Sequence, residues 1–198
     1  LDKQLRSIIQ LQSGLNYIFM GSQEGMMLEI FERKKSPFYH FGGLMRLGKI
    51  PYEDFYQFVF ERLPEAPNKE DITREILAFS SCHPYYTQQL AFEVSNQIEV
   101  NAVQEDVVTR AIHTILQAHD LNYERLWENF NNTDKSTLLQ LSNGDNPLNN
   151  RSVASSTAFS SLKRLVKSGV IIRTKEYMLE DPFFCEWLRI KQNPSRIS

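Results

Sequence analysis

A short apolar run near the N-terminus constrains the fold of this 198-residue chain more than any other feature. After a break at Ser13-Gly14, the sequence reads Asn16-Tyr17-Ile18-Phe19-Met20-Gly21-Ser22, a continuous apolar stretch that small residues close. Such a run predicts a strand buried on both faces, as in parallel sheets flanked by helices. One strand cannot form a sheet by itself, so we expect the chain to begin partway through an α/β domain.

Two helical patterns follow the predicted strand. The first covers Glu24–Arg33, and the second covers Tyr52–Leu63 with its apolar residues at helical spacing. The residues expected to face inward on the second helix are Phe55, Phe58 and Val59. Residues 1–63 are therefore predicted to be the C-terminal remnant of an α/β domain, and the Pro-rich stretch 64–69 is predicted to be a linker.

Residues 64–121 are predicted to form a helical domain, and residues 122–198 a third domain that ends in a β-hairpin. The predicted helices of the second domain are Ile72–Ser80, Tyr85–Ile98 and Val103–His119. Those of the third are Tyr123–Phe130, Asp134–Leu141 and a helix from Ser155 or Ser156 to Lys167, whose apolar face is expected to hold Phe159, Leu162, Leu165 and Val166. Gly169 is expected to end the last helix.

The predicted hairpin completes the third domain. Its strands are Val170–Arg173 and Tyr177–Leu179, joined by a tight turn. Helices followed by a small hairpin are the plan of a winged helix. The predicted fold class is therefore mostly α with small β content.

Composition and charge favour a soluble, cytoplasmic globular protein. The chain is 41% hydrophobic and 23% charged, and none of its apolar runs reaches the roughly 18 to 20 residues that cross a bilayer, so no membrane partner is expected. Cys82 and Cys185 lack the dense spacing of a secreted disulfide framework. Residues 1–122 hold 11 Lys+Arg and 16 Asp+Glu, whereas residues 123–198 hold 11 and 8. Any affinity for phosphate polymers is thus expected in the C-terminal part.

Three stretches carry a family resemblance through their order and spacing. They are Tyr17–Gln23 with Ser36–Tyr39, then His83–Tyr86, then Tyr177–Leu188. Together they resemble the prokaryotic AAA+ or STAND ATPases related to the archaeal Orc/Cdc6 proteins. The last stretch, a strand that runs into Asp-Pro-Phe-Phe and then Trp-Leu, is the most specific. The resemblance implies the remnant of a P-loop NTPase domain, a helical lid and a C-terminal winged helix in the three predicted domains.

The same resemblance implies functional roles at two places. Ser22, with Gln23 as second choice, is similar to the catalytic sensor-1 residue that faces the γ-phosphate and the attacking water. The alternative is that Ser22 only caps the helix that follows. His83, Pro84 and Tyr85 are similar to the lid motif that meets the nucleotide, where free N–H groups at a helix start suit an anion. The alternative is that His83 only packs beside Pro84.

The motifs that bind phosphate and magnesium are missing from the sequence. No Gly-x-x-x-x-Gly-Lys-Ser/Thr occurs, nor does an acidic pair at a strand end. ATP and magnesium are therefore implied as cofactors of the full-length protein, and none is expected in this chain. The first partner implied is the missing N-terminal nucleotide-binding half. The chain alone is expected not to hydrolyse ATP, although its parent protein is expected to be an ATPase that acts as a nucleotide-dependent switch.

The predicted winged helix offers a basic face as a tentative nucleic-acid site. Its cations are Lys163, Arg164 and Lys167 on the helix and Lys175 in the turn. Asn and Gln, which read base edges, are lacking from this helix, so docking to another protein or within the molecule is the favoured alternative. A non-enzymatic adaptor or DNA-binding regulator is the second function that the sequence suggests. No metal site is predicted, because His113 and His119 are six positions apart on one helix.

Overall fold

The computed structural model describes residues 2–21, 24–45, 50–100, 106–149 and 154–192. Within these residues it contains nine α-helices and one two-stranded sheet, which confirms the predicted mostly helical fold with small β content. The chain forms two compact units, residues 1–48 and residues 49–198. No helix among the described residues combines the length and the apolar character needed to cross a bilayer.

The first unit contains two short helices, α1 (Asp2–Leu11) and α2 (Glu24–Phe31). Its small core is aromatic, with the rings of Phe19, Phe31 and Phe41 lying 5.5–5.8 Å from the buried ring of Phe38. The guanidinium of Arg6 donates a hydrogen bond to the carbonyl of Pro37, which joins α1 to the segment after α2.

The predicted buried strand near the N-terminus is wrong for residues 16–21, which have no regular secondary structure. Ile18 and Met20 are 86% and 90% exposed, and Tyr17 is exposed as well. A strand needs a neighbouring backbone to complete its hydrogen bonds, and the two strands among the described residues pair only with each other. The apolar run of residues 17–20 therefore has no sheet to enter in the part of the chain that the structure describes.

The second unit begins with four helices. They are α3 (Tyr52–Arg62), α4 (Lys69–Phe79), α5 (Pro84–Val100) and α6 (Val107–Glu128). Phe55 and Val59 of α3 are buried as predicted, whereas Phe58 is half-exposed, with the guanidinium of Arg62 over its ring.

Helix α6 is one continuous helix where the sequence predicts two. Its buried residues Ala111, Ile115 and Tyr123 keep helical spacing through the predicted break, so the helix has no reason to end there. The predicted boundary between residues 121 and 122 consequently falls inside α6.

The remaining elements form a helix, helix, hairpin, helix sequence. They are α7 (Asn132–Ser142), α8 (Ser155–Lys167), β1 (Ile171–Arg173), β2 (Tyr177–Leu179) and α9 (Pro182–Gln192), with one 3-10 turn at Pro147–Asn149. The strands are antiparallel, with Ile171 opposite Leu179 and Arg173 opposite Tyr177. Gly169 has the left-handed φ of 76° that was expected after α8.

The buried face of α8 differs in part from the predicted one. Leu162 and Leu165 are buried as predicted, and Ala158 and Ser161 join them. The predicted inward positions Phe159 and Val166 are instead 53% and 38% exposed. The buried side of α8 therefore includes two small residues, at 158 and 161, and the two larger side chains face outward.

One continuous hydrophobic core runs through residues 55–188. It unites side chains from the α3–α6 helices with side chains from α7–α9 and the hairpin. Its fully buried members include Leu90, Val94, Leu138, Leu162, Phe183 and Leu188. Each such side chain contributes about 2 kcal/mol on removal from water. The predicted helical domain and the predicted third domain therefore share a core.

Candidate functional site at the start of α5

A strained turn leads into α5. Ser81 and Cys82 both have positive φ, at 50° and 55°, a conformation that costs residues other than glycine about 1–3 kcal/mol each. The turn is fixed by the Cys82 backbone N–H, which donates to the carbonyl of Leu77 at 3.1 Å. The buried hydroxyls of Ser80 and Thr87 also form a 2.6 Å hydrogen bond across it. The sequence offers no glycine here, so packing must hold the turn in place.

His83 and Pro84 occupy the start of α5 directly after this turn. His83 donates its backbone N–H to Ser80 at 2.9 Å and accepts from the backbone of Thr87 at 2.9 Å. Pro84 is the first residue of the helix, where its missing N–H leaves no unpaired donor. The side chain of Tyr85 is 62% exposed beside this point. The three residues predicted to meet a nucleotide thus form one exposed helix start.

The side chains at this helix start contact the end of the hairpin. The Nε2 atom of His83 lies 3.3 Å from the Oε1 atom of Glu180, and the hydroxyl of Tyr86 donates to its Oε2 atom at 2.6 Å. Glu180 follows β2 directly, so one carboxylate connects α5 to the junction between β2 and α9. Burial raises the pKa of Tyr86 above its ordinary value, and the hydrogen bond to Glu180 adds to the effect, so this phenol stays protonated as a donor.

A second carboxylate beside Glu180 joins the same junction to α6. Asp181 accepts from the backbone N–H groups of Phe183 and Phe184 at 2.8 and 3.1 Å, which caps α9, and from the hydroxyl of Tyr123 at 3.1 Å. Burial raises the pKa of Asp181, while the two backbone donors and Tyr123 act against that rise. The indole of Trp187 donates to Asp120 at 2.7 Å and adds a further link between α9 and α6.

The charges around the helix start limit what it can bind. The carboxylate of Glu180 lies 3.3 Å from the His83 imidazole at the start of α5 and opposes an approaching phosphate by its negative charge. The Nδ1 atom of His83 is buried and makes no hydrogen bond to any described residue. Because Nδ1 of His83 is buried and Nε2 contacts Glu180, the exposed ring of Tyr85 is the group that this helix start offers to a ligand.

One of the two predicted halves of a nucleotide site lies outside the part of the chain that the structure describes. Ser22 and Gln23, the predicted sensor-1 residues, lie outside the described residues. No group of three or more His, Cys, Asp or Glu side chains within the described ranges is arranged to hold a metal ion. Cys185 is half-buried, and burial raises the pKa of its thiol, which disfavours the reactive thiolate.

The four cations of the predicted basic face differ in their contacts with the rest of the described protein. Lys163, Lys167 and Lys175 are exposed, with Lys175 in the turn between β1 and β2. Arg164 instead donates from Nη2 to the Oδ1 atom of Asp134 at 2.7 Å. One of the four predicted phosphate ligands is thus committed to a bond within the protein.

Sequence reasoning missed the residues that join α5 and α6 to α9. Glu180, Tyr86, Asp181 and Tyr123 were given no role as partners, and their contacts span 94 and 58 positions of sequence. The one local signal was Asp181-Pro182, since an Asp before a Pro is a common helix start. No local sequence pattern indicates that the tyrosines that bind these two carboxylates, Tyr86 and Tyr123, lie on α5 and α6.

Comparisons with protein-family models, with curated proteins and with solved structures found no match. The function is therefore inferred from the residues and their geometry.

Proposed function

We propose that this chain is the helical lid and winged-helix portion of an ATP-binding switch of the AAA+ and STAND type. The order of α7, α8, the hairpin and α9 supports the winged helix, and the proposal assigns α4–α6 to the lid. ATP and magnesium would be bound mainly by a separate nucleotide-binding half. The role of the chain described here is to relay the nucleotide state to a partner.

The connection of the α5 start to the hairpin through Glu180 carries this proposal. A nucleotide that approaches His83 and Tyr85 must displace or strengthen the contacts that His83 and Tyr86 make with one carboxylate. Because Glu180 lies between β2 and α9, either change is passed directly to the hairpin. The turn before His83 adds backbone strain of about 1–3 kcal/mol at each of its two residues with positive φ, which a change of conformation there would release.

A DNA-binding regulator is the less well supported function. Arg164, the cation best suited to pair with phosphate in a bidentate way, is held by Asp134. The remaining lysines can contact phosphate but cannot read a base sequence by bidentate bonds.

The test begins with the coding sequence immediately upstream of the codon for Leu1. We expect the same reading frame to contain a phosphate-binding loop. An initiator Met directly before Leu1 would refute the proposal.

The protein of that whole reading frame is then compared with and without a non-hydrolysable ATP analogue by amide hydrogen exchange. We expect exchange in residues 177–188 to change with the analogue in the wild type and to lose that response in Glu180→Ala. Glu176→Ala, which removes an exposed carboxylate from the hairpin turn, is the matched control and should respond as the wild type does. An identical response in Glu180→Ala and the wild type would contradict the relay.

A further inference from the structure

The outer face of α8 combines apolar and cationic side chains in one stripe. Lys163 lies four residues after Phe159, and Val166 and Lys167 lie three and four residues after Lys163, spacings that make each of them a neighbour of Lys163 on the helix surface. Phe159 is 53% exposed and Val166 is 38% exposed, and both lysines are exposed. Exposed aromatic and aliphatic side chains with a charged rim are typical of a protein-binding surface.

This face is held rigidly from the opposite side of the helix. Leu162 and Leu165 are buried in the shared core, at 0% and 2% exposure. The buried hydroxyl of Ser161 donates to Asp134, which also receives the guanidinium of Arg164. The outer stripe therefore needs little ordering when a partner binds, which lowers the entropic cost of association.

The segment that forms α8 and most of the hairpin carries an excess of positive charge. Residues 155–178 contain five Lys and Arg and a single acidic residue, Glu176. Arg164 is neutralised by Asp134, but Lys163 and Lys167 form no ion pair with any residue that the structure describes. A complementary partner must carry negative charge.

The apolar residues distinguish an acidic protein from a nucleic acid. Phe159 and Val166 flank Lys163, so a phosphate backbone placed on the lysines would leave both apolar side chains without a partner. Helix α8 also lacks Asn and Gln, the side chains that pair with adenine edges. An acidic peptide segment with an apolar side chain satisfies both features, because it covers Phe159 while its carboxylates meet the lysines.

We propose that the outer face of α8 docks an acidic protein segment that carries a large apolar side chain. This inference rests on the proposed function in one respect, since it names the kind of partner to which the switch would respond. The binding itself needs no nucleotide.

The experiment selects from a displayed library of random 16-residue peptides with the full chain as bait. We expect the enriched peptides to combine Asp or Glu with an aromatic or large aliphatic residue. A synthetic peptide of the enriched sequence, labelled with fluorescein, is then titrated by fluorescence anisotropy. We expect Phe159→Ser to weaken the binding of this peptide about tenfold or more. We expect a similar loss from the double variant Lys163→Glu with Lys167→Glu.

Matched controls separate this face from the general surface. Phe92→Ser removes a 67% exposed phenylalanine from α5, and Lys34→Glu with Lys35→Glu reverses two exposed charges in the first unit. Both controls should bind as the wild type does, and circular dichroism should show that every variant is folded.

Three results of the peptide experiments would overturn the proposal. They are a selection without enrichment, enriched peptides without acidic residues, and equal binding by Phe159→Ser and the wild type. Binding of a 20-base-pair duplex that depends on the lysines but not on Phe159, without peptide binding, would also overturn it in favour of a nucleic-acid surface. Because these assays contain no ATP, a missing phosphate-binding loop upstream would refute the switch and leave the docking result intact.

Discussion

Removing the Asp134 carboxylate should destabilise the second unit strongly, because that carboxylate is the centre of a buried polar cluster. It receives the hydroxyl of Ser161, the guanidinium of Arg164 at 2.7 Å and the amide of Asn131 at 2.7 Å, with its side chain only 9% exposed. Asp134→Ala leaves Ser161, itself fully buried, without its acceptor. The Asn131 cap on the backbone of residue 134 does not depend on the carboxylate and should persist.

The size of the effect follows from these contacts. Breaking a fully buried ion pair costs about 3–5 kcal/mol, and an unsatisfied buried hydroxyl costs about 1–3 kcal/mol. The side chain of Arg164 is 52% exposed, so water can replace part of its lost partner. We therefore expect Asp134→Ala to lower the free energy of unfolding by about 3 kcal/mol and the melting temperature by about 6–12 °C.

Tryptophan fluorescence during urea unfolding measures this loss for the second unit alone, because both tryptophans of the chain, Trp127 and Trp187, lie in it. Asp145→Ala, which removes an exposed carboxylate from the loop after α7, is the control and should change stability by no more than about 0.5 kcal/mol. A loss below about 1 kcal/mol for Asp134→Ala would refute the view that this cluster fixes α8.

Three further predictions concern the same unit. Tyr86→Phe removes the 2.6 Å hydrogen bond to Glu180 and should cost about 1–2 kcal/mol in urea unfolding, whereas Tyr85→Phe, at an exposed position, should cost almost nothing. Gly169→Ala should cost about 1 kcal/mol because residue 169 has a φ of 76°, and Gly169→Asn should cost less, since Asn tolerates that conformation; equal losses would count against this reason. Because burial raises the pKa of Asp181 in the folded protein, the folded state binds its proton more tightly than the unfolded state. The stability of the wild type relative to Asp181→Asn should therefore fall as pH rises from about 3.8, and urea unfolding at a series of pH values that showed a rise would contradict it.

The sequence predicted most helices because their signals are local. Helical spacing and a Gly stop placed α8 and its end at Gly169 correctly, and alternation with a tight turn placed the hairpin. Helix α6 was divided in two because polar residues interrupt the apolar pattern between residues 117 and 122, although Tyr123 resumes the buried face seven residues after Leu116. Local pattern does not reveal whether a core supports a helix across such a stretch.

Long-range pairing explains what the sequence did not predict. The run at residues 17–20 has the composition of a buried strand, but composition cannot supply the neighbouring strand that would make it one. Phe159 and Val166 fit a helical apolar face, yet small residues at 158 and 161 decide which side of α8 packs. Local signals placed His83 and Tyr85 correctly at a helix start, whereas Glu180, the residue that His83 contacts, lies 97 positions later in the sequence. The nucleotide role of these residues stays a prediction.

The continuity of α6 has a mechanical consequence. A helix of 22 residues is about 33 Å long, so a tilt of about 5° at one end moves the other end by about 3 Å. Tyr123 lies about 24 Å from the start of the helix, so the same tilt moves it by about 2 Å, which is enough to break its 3.1 Å hydrogen bond to Asp181. A small rotation near the N-terminus of α6 therefore changes the contacts that the helix makes with Asp181 and α9.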